Sequence, residues 1–512
     1  MKQLHNQNVL VLGLGVSGLA MAKWCTRHGA RAVVVDTRAE PPELARLGAE
    51  APAAKFENSV FDVSLLERHG IRAVFASPGL SPASTAAVMQ PAREQGLWCG
   101  GELTLFAQAL TDLRELQAYA PTVLAVTGTN GKTTVTSLTG QLAAAAGRNV
   151  AVAGNIGPSL LDTLAECLDA DRLPEVWVVE LSSFQLALTA AFEPTAAAVL
   201  NLTQDHLDWH GSMQEYVAAK ARVLGKRALA VLNRDDPAVM ALLLAAAEPV
   251  KKGKAQTEAR LHVTFGTDLP ARAGDLGIEV VHGMSWLVRA ASDPVGSSSS
   301  RRRGKPVADD MLIQRLMPAD ALRIRGRHNA LNALAALALA TAAGCSLAPM
   351  LRRLQEYRGE PHRVERVGLV DGIEYFDDSK GTNVGATVAA LQGLGVERKL
   401  VAILGGDGKG QDFSPLVEPV ARYVRSVILI GRDAALIRDR LASTNVPLFG
   451  ADTMEAAVRL AANHAVAGDA VLMSPACASF DMYRNYEHRA EAFHAAVLEL
   501  AHERGVQLEE SA

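Results

Sequence analysis

Seven consecutive residues have the clearest chemical potential: Gly128, Thr129, Asn130, Gly131, Lys132, Thr133 and Thr134. They follow an apolar run at 123–126 and precede a helix-compatible segment. Glycine lets backbone N–H groups turn toward a phosphate, and a helix N-terminus favours anions. Lys132 suits the β- and γ-phosphates of a nucleotide, and the Thr133 hydroxyl suits Mg2+. The loop is a shortened GxxGKT form, because Val126 stands where the general pattern has its first glycine. The competing reading is a glycine-rich turn with an exposed lysine. The preceding strand and the GKTT core favour the nucleotide.

Three further positions fit a Mg2+-nucleotide site, which needs oxygen ligands beyond the loop threonine. Glu180 ends the apolar run at 176–179, at the tip of a parallel strand, where ligands bind in such sheets. Asp205, His206, Asp208 and His210 cluster after the run at 197–200, and His206 is preferred to His210 because it stands nearer that strand. Some members of this cluster are ordinary loop residues. Lys220 lies in YVAAKARVL, where a solvated surface lysine is the default reading.

The outer segments carry their own signals. Gly13, Gly15 and Gly18 form GxGxxG between a strand and a helix, with Asp36 about 20 residues further on. Alone, that pattern argues for NAD and a dehydrogenase. The motif specifies an anion cradle more than a ligand, so the dehydrogenase is a second choice. Near the other end, Asn329 and Asn332 share a helix face at i,i+3. They suit a cap or hydrogen bonds to adenine.

The elements that must position these residues read as α/β. Short β-branched runs at 9–12, 32–35, 123–126, 176–179, 197–200, 400–404 and 427–430 alternate with alanine- and leucine-rich stretches. Buried parallel strands with helical crossovers have this form. Three strand-plus-glycine openings predict three domains, at 1–99, 100–359 and 360–512. The outer two are expected to be Rossmann-like, and the central one a P-loop domain with a mainly parallel sheet. GSSSSRRRGKP at 296–306 reads as a solvated surface insertion.

Composition narrows the classes. The 512 residues are 49% hydrophobic and 21% charged, enough for ordinary globular cores. A net charge of -4 gives no bulk attraction to nucleic acid or to anionic membrane. Five scattered cysteines indicate neither a zinc knuckle nor a disulfide framework. The N-terminal apolar run is only strand-length, and no stretch is long enough to cross a bilayer. A cytoplasmic monomer is expected.

Taken in order, GTNGKTT, VVELSSFQL, NLTQDHLDWHG and YVAAKARVL resemble the central domain of the Mur ligases, which build the peptide stem of cell-wall precursors. The resemblance covers nearly all of the chain except the polar stretch near 251–318. It implies ATP, two Mg2+ ions and a carbamylated Lys220, with Thr133, Glu180, His206 and Lys220 on the metal side. Carbamylation is chemically reasonable, because desolvation yields a neutral, nucleophilic amine. Asp36, Thr37 and Arg38 resemble the uridine edge of the D-glutamate-adding branch, and the loop with Ser77 and Gly79 its diphosphate side. Val16 and Ser17 approach the diphosphate, and Asn155 and Gln185 complete that substrate set.

The C-terminal third carries the amino-acid choice. DDSKGTN resembles the D-glutamate branch, and GGDGKG and SPACASFDMYRNYEHRAEAF strengthen the match. A second carboxylate on the incoming amino acid calls for cations and hydroxyls, which Thr382, Lys409 and Ser479 supply, with Phe480 and Tyr486 beside them. Asp407 is expected to orient Lys409. The resemblance assigns Arg363, Asp378, Lys380, Asn329 and Asn332 to the nucleotide. The chain departs from the family pattern at Gly381, usually alanine, and at Phe480 and Tyr486. The implied substrates are UDP-N-acetylmuramoyl-L-alanine and D-glutamate, joined through an acyl phosphate, with domain closure excluding water. No general base stands out. A folylpolyglutamate-type ligase explains the centre but not the DTR or DSKGTN segments. A non-catalytic nucleotide-binding regulator does not explain Glu180, His206 and Lys220 together.

Overall fold

Each β-branched run of the sequence becomes a buried strand. The computed structural model describes residues 1–189, 191–245, 260–292, 311–324, 326–396 and 398–508. The first sheet holds β1 (Asn8–Leu12), β2 (Arg31–Asp36), β3 (Lys55–Asn58), β4 (Ala73–Ala76) and β5 (Trp98–Gly100). Their order is β3-β2-β1-β4-β5, all parallel. The order reverses between β1 and β4, which opens a crevice beyond their C-terminal ends.

The central sheet contains β6 (Thr122–Thr127), β7 (Val150–Gly154), β8 (Val176–Glu180), β9 (Ala196–Val199) and β10 (Leu229–Asn233). It continues with β11 (His262–Phe265), β12 (Leu276–Val281), β13 (Met284–Ser292) and β14 (Met311–Pro318). The order is β14-β13-β12-β11-β10-β9-β6-β8-β7. β6 runs between β8 and β9, and Val126 registers with Glu180 on one side and Ala198 on the other. That register sets the Lys132 loop beside the tip that carries Glu180. β13 is antiparallel to β12. The stretch near 251–318 therefore supplies β11–β14 and extends the sheet, whereas residues 296–306 lie outside the described residues.

The third sheet is built of β15 (Glu365–Val370), β16 (Ile373–Asp377), β17 (Leu400–Gly405), β18 (Val424–Ile430), β19 (Leu448–Gly450) and β20 (Ala470–Met473). Its order is β15-β16-β20-β17-β18-β19, parallel except for β15 against β16. Apolar side chains alternate between its two faces. Ala402, Leu404 and Leu472 pack on one, and Val401, Ile403 and Val471 on the other. Helices cover both faces, as a doubly wound sheet requires.

The first two sheets lie in one compact unit and the third in another. Within the first unit one apolar cluster runs from Trp24 and Phe75 through Phe106 to Trp177, and a second packs Leu10, Val33 and Val74 against Val88. Phe106 and Trp177 meet edge-on at 5.0 Å. Around that core, the Lys23 ammonium pairs with Asp162 at 2.9 Å, and the Arg27 guanidinium donates twice to Asp169. Among the described residues, no helix is long and apolar enough to cross a membrane.

Candidate active site

β6 delivers Gly128 into a conformation that only glycine adopts easily, at φ +155°. A Cβ there would meet Leu200 at 2.9 Å, so the loop lies against the start of the segment after β9. Gly131, at φ +82°, opens the helix Lys132–Ala145. The Lys132 ammonium donates to the carbonyls of Gly128 and Thr129, at 3.0 and 2.8 Å. Thr133 and Thr134 are buried at the first turn.

Asn201 opens the NLTQDHLDWHG segment, which by itself assigns it no role, yet it grips this loop on both sides. Its Oδ1 accepts from the Asn130 N–H at 2.7 Å, and its Nδ2 donates to the Asn130 carbonyl at 3.1 Å. Its own carbonyl accepts from the Thr129 N–H at 2.9 Å. The Thr129 hydroxyl meets the Tyr216 hydroxyl at 2.9 Å.

Lys220 is buried, with 2% of its surface exposed, so the default reading of a solvated lysine does not hold. Its ammonium donates to the Gly128 carbonyl at 2.8 Å and sits 4.8 Å from the Tyr216 ring centre. Glu180 is equally buried. Its Oε1 accepts from Asn155 Nδ2 at 2.8 Å, while its Oε2 has no hydrogen-bond partner among the described residues. A buried, unsatisfied carboxylate oxygen is costly and fits a cation ligand. His206 adopts a left-handed backbone, φ +54°, at the start of the short helix Leu207–His210, and its ring packs on Phe184 at 4.6 Å. His210 instead bonds the Ser183 hydroxyl at 2.9 Å. Gln185 lies in a capping box, where its Oε1 accepts from the Ser182 N–H at 3.0 Å.

In the first sheet the glycine loop after β1 is held by Asp36. Its carboxylate accepts from the Leu14 N–H at 2.7 Å and from the Arg38 N–H and guanidinium at 2.8 to 2.9 Å. Burial alone would raise this carboxyl; Arg38 and the two N–H groups outweigh it and hold the group at about 2. Thr37 and Arg38 are exposed, whereas Ser77 is buried and its N–H donates to the Leu12 carbonyl at 2.8 Å. Space is open over Gly15 and Gly79. Val16 is exposed at the first turn of its helix, and Ser17 bonds the buried carboxyl of Glu102.

In the second unit, β16 ends at Asp377 and the chain turns through Asp378, Ser379 and Lys380. Burial raises the Asp378 carboxyl to about 7, against the pull of the Ser474 hydroxyl at 2.6 Å and of Arg363. A Cβ at Gly381 would sit 2.5 Å from Asp378 Oδ2 and 2.9 Å from Ser474 Oγ. Lys380 lies 5.1 Å from the Tyr486 ring centre, a cation–π contact. The Thr382 N–H donates to the Lys380 carbonyl. Ser479 is buried, and Phe480 is exposed. Asp407 receives the Lys409 N–H at 3.0 Å and pairs with Arg432, so it orients the Lys409 backbone. Asn332 donates to Asn329 at 3.1 Å. Arg489, within SPACASFDMYRNYEHRAEAF but assigned no role by the sequence, is buried and donates to the carbonyls of Ser379 and Cys477.

Comparisons with known proteins agree along the chain. The family model for a MurD-like Mur ligase N-terminal domain matches residues 7–101. The Mur ligase middle domain matches 126–279, and the Mur ligase glutamate ligase domain matches 362–477. A protein of Albidiferax ferrireducens named UDP-N-acetylmuramoylalanine--D-glutamate ligase is 61% identical over 512 residues, covering 100% of both chains. One of the same name from Ralstonia nicotianae is 57% identical over 98% of each chain. Among solved structures, the MurF ligase of Thermotoga maritima in complex with ADP shares the fold at a TM-score of 0.57 and 16% identity, covering 98% of this chain and 97% of that one. The chain belongs to the Mur ligase family.

Proposed function

We infer that the chain is an ATP-dependent ligase that joins D-glutamate to UDP-N-acetylmuramoyl-L-alanine in peptidoglycan precursor synthesis. The observation that carries this reading is full-length identity of 61% to a ligase of that name. The products are ADP, phosphate and the extended precursor.

A carboxylate is a poor acyl donor, because oxide is a poor leaving group. The alanine carboxylate therefore attacks the γ-phosphate of ATP and becomes an acyl phosphate. The D-glutamate amine attacks that carbonyl, and phosphate leaves from the tetrahedral intermediate. Lys132 and the N–H groups of the loop hold the phosphates and screen the approach of two anions. Thr133, Glu180 and His206 are the proposed Mg2+ side, and the orphaned Glu180 Oε2 supports that assignment. Bound there, two Mg2+ ions would supply charge neutralisation at the transferring phosphoryl group. We assign Lys220 to carbamylation by CO2, which replaces a cation by an anionic oxygen ligand. Its burial against the loop supports the assignment. Asn201 acts as a positioning residue for the loop.

The proposed division of labour follows three domains at 1–99, 100–359 and 360–512. The first binds the UDP end through Val16, Ser17, Thr37, Arg38, Ser77 and Gly79, with Asp36 shaping the loop. Asn155 and Gln185 serve the same substrate from the second. The third binds D-glutamate through Thr382, Lys409, Ser479, Phe480 and Tyr486. Asn329, Asn332, Arg363, Asp378 and Lys380 serve the nucleotide. The setting is the cytoplasm, and the working form a monomer.

The dehydrogenase reading loses its main support at Asp36. Both carboxylate oxygens already accept from Leu14 and Arg38, which leaves a poor acceptor for a ribose hydroxyl. Mass spectrometry of the product from UDP-N-acetylmuramoyl-L-alanine, D-glutamate and ATP tests the inference. A mass gain of one glutamyl residue is expected, and recovery of unchanged substrate contradicts it.

A further inference from the structure

Three separated segments of the second unit converge through side chains given no role above. His362 precedes β15, Asp377 ends β16, and His494 lies in the helix Tyr486–Glu503. The Asp377 carboxylate is fully buried, and its Oδ2 faces His362 Nδ1 at 2.7 Å and His494 Nε2 at 3.2 Å. Glu365 completes the group, with Oε2 at 3.8 Å from His362 Nδ1. The four ligand atoms all lie within 4.8 Å of one another.

We propose that His362, Asp377 and His494, with Glu365 as fourth ligand, form a binding site for a divalent transition ion of the zinc type. Zinc holds imidazole nitrogens at about 2.0–2.1 Å and carboxylate oxygens at about 2.0–2.2 Å in a tetrahedron. Ligand atoms in such a shell are roughly 3.3 Å apart by that geometry. The His494 contact of Asp377 Oδ2, at 3.2 Å, lies close to that separation, and the His362 contact, at 2.7 Å, would lengthen by about 0.6 Å on binding. Two neutral imidazoles and two carboxylates give a doubly negative set that suits a divalent cation. The nitrogen donors select against Mg2+, which prefers six oxygens. Outer support is present: the Ser379 N–H holds Asp377 Oδ1 at 2.9 Å, which points Oδ2 at the histidines.

The site has a reach beyond its ligands. The Lys380 N–H donates to the His362 carbonyl at 3.2 Å, and the His362 N–H donates to Glu365 Oε2 at 2.8 Å. A bound ion would pin the turn at 361–365 to both β16 and the C-terminal helix, next to Arg363 and Lys380. The alternative is a plain His–Asp–His hydrogen-bond cluster with no affinity for metal.

Titration of the chelator-stripped full chain with Zn2+ and with Co2+ distinguishes the two. The site predicts one Co2+ with the strong visible absorption of a tetrahedral complex, and a Zn2+-dependent rise in melting temperature that millimolar Mg2+ does not reproduce. His494→Gln, on a half-exposed helix position, is expected to weaken Zn2+ binding at least tenfold while keeping the circular dichroism of the parent. His362→Gln should do the same, which guards against a folding defect in either variant. Absence of Zn2+ binding, unchanged affinity in both variants, or displacement by Mg2+ would overturn the proposal.

Discussion

The Lys220 ammonium donates to the carbonyl of Gly128 at 2.8 Å, across 92 positions of sequence. Lys220 is buried against the phosphate loop, where the proposed carbamate would stand. Conversion of this amine to a carbamate is expected to give a ¹³C signal after incubation with labelled bicarbonate. Lys220→Arg should lose that signal and at least about 100-fold in turnover, the scale of removing one preorganised electrostatic group. A full-strength signal in the Lys220→Arg protein would place the carbamate elsewhere.

Lys132→Ala should abolish measurable turnover. Affinity for the UDP-linked substrate should stay within a few-fold, because the first sheet is untouched by the change. Calorimetric titration of the variant checks this, and parallel loss of both would mean that the loop collapses without its lysine.

Asn201→Ala removes both side-chain hydrogen bonds to Asn130. Leaving such groups unsatisfied costs about 1–3 kcal/mol. A fall in kcat with a rise in the KM for ATP is expected, together with normal binding of the UDP substrate. An unchanged KM for ATP would remove Asn201 from the loop's support.

The Asp36–Arg38 clamp predicts a pH dependence. The Asp36 carboxyl is held at about 2, below an unfolded value of about 3.9. A depressed pKa contributes stability that is present above about pH 4 and lost as pH falls through about 2. Melting curves of Asp36→Asn should lie below the parent at neutral pH, and the gap should close on acidification. A constant gap across that range would mean that the clamp is not electrostatic. The same variant should raise the KM for the UDP substrate.

Much of this architecture is legible in the chain. Runs such as 176–179 and 400–404 announce buried parallel strands, and β6 with its glycine loop announces a nucleotide. What the residues could not disclose is long-range. Asn201 sits 71 positions from Asn130, and nothing local marks it as the loop's clamp. Asp36 matches the dinucleotide spacing, yet Arg38 two positions later consumes its carboxylate. Lys220 reads as solvated because burial depends on how its helix packs. The strands β11–β14 are hidden by the polar stretch around them. His494 lies 117 positions from Asp377, so their contact exists only in the folded unit.

In the proposed reaction ATP cleavage is tied to one amino acid. Phosphate release, measured with UDP-N-acetylmuramoyl-L-alanine and a panel of L- and D-amino acids, tests it most directly. Release that requires D-glutamate, and falls to background with L-glutamate, D-aspartate or lysine, is the predicted result. Release that proceeds equally with another amino acid, or without the UDP-linked substrate, would contradict the account.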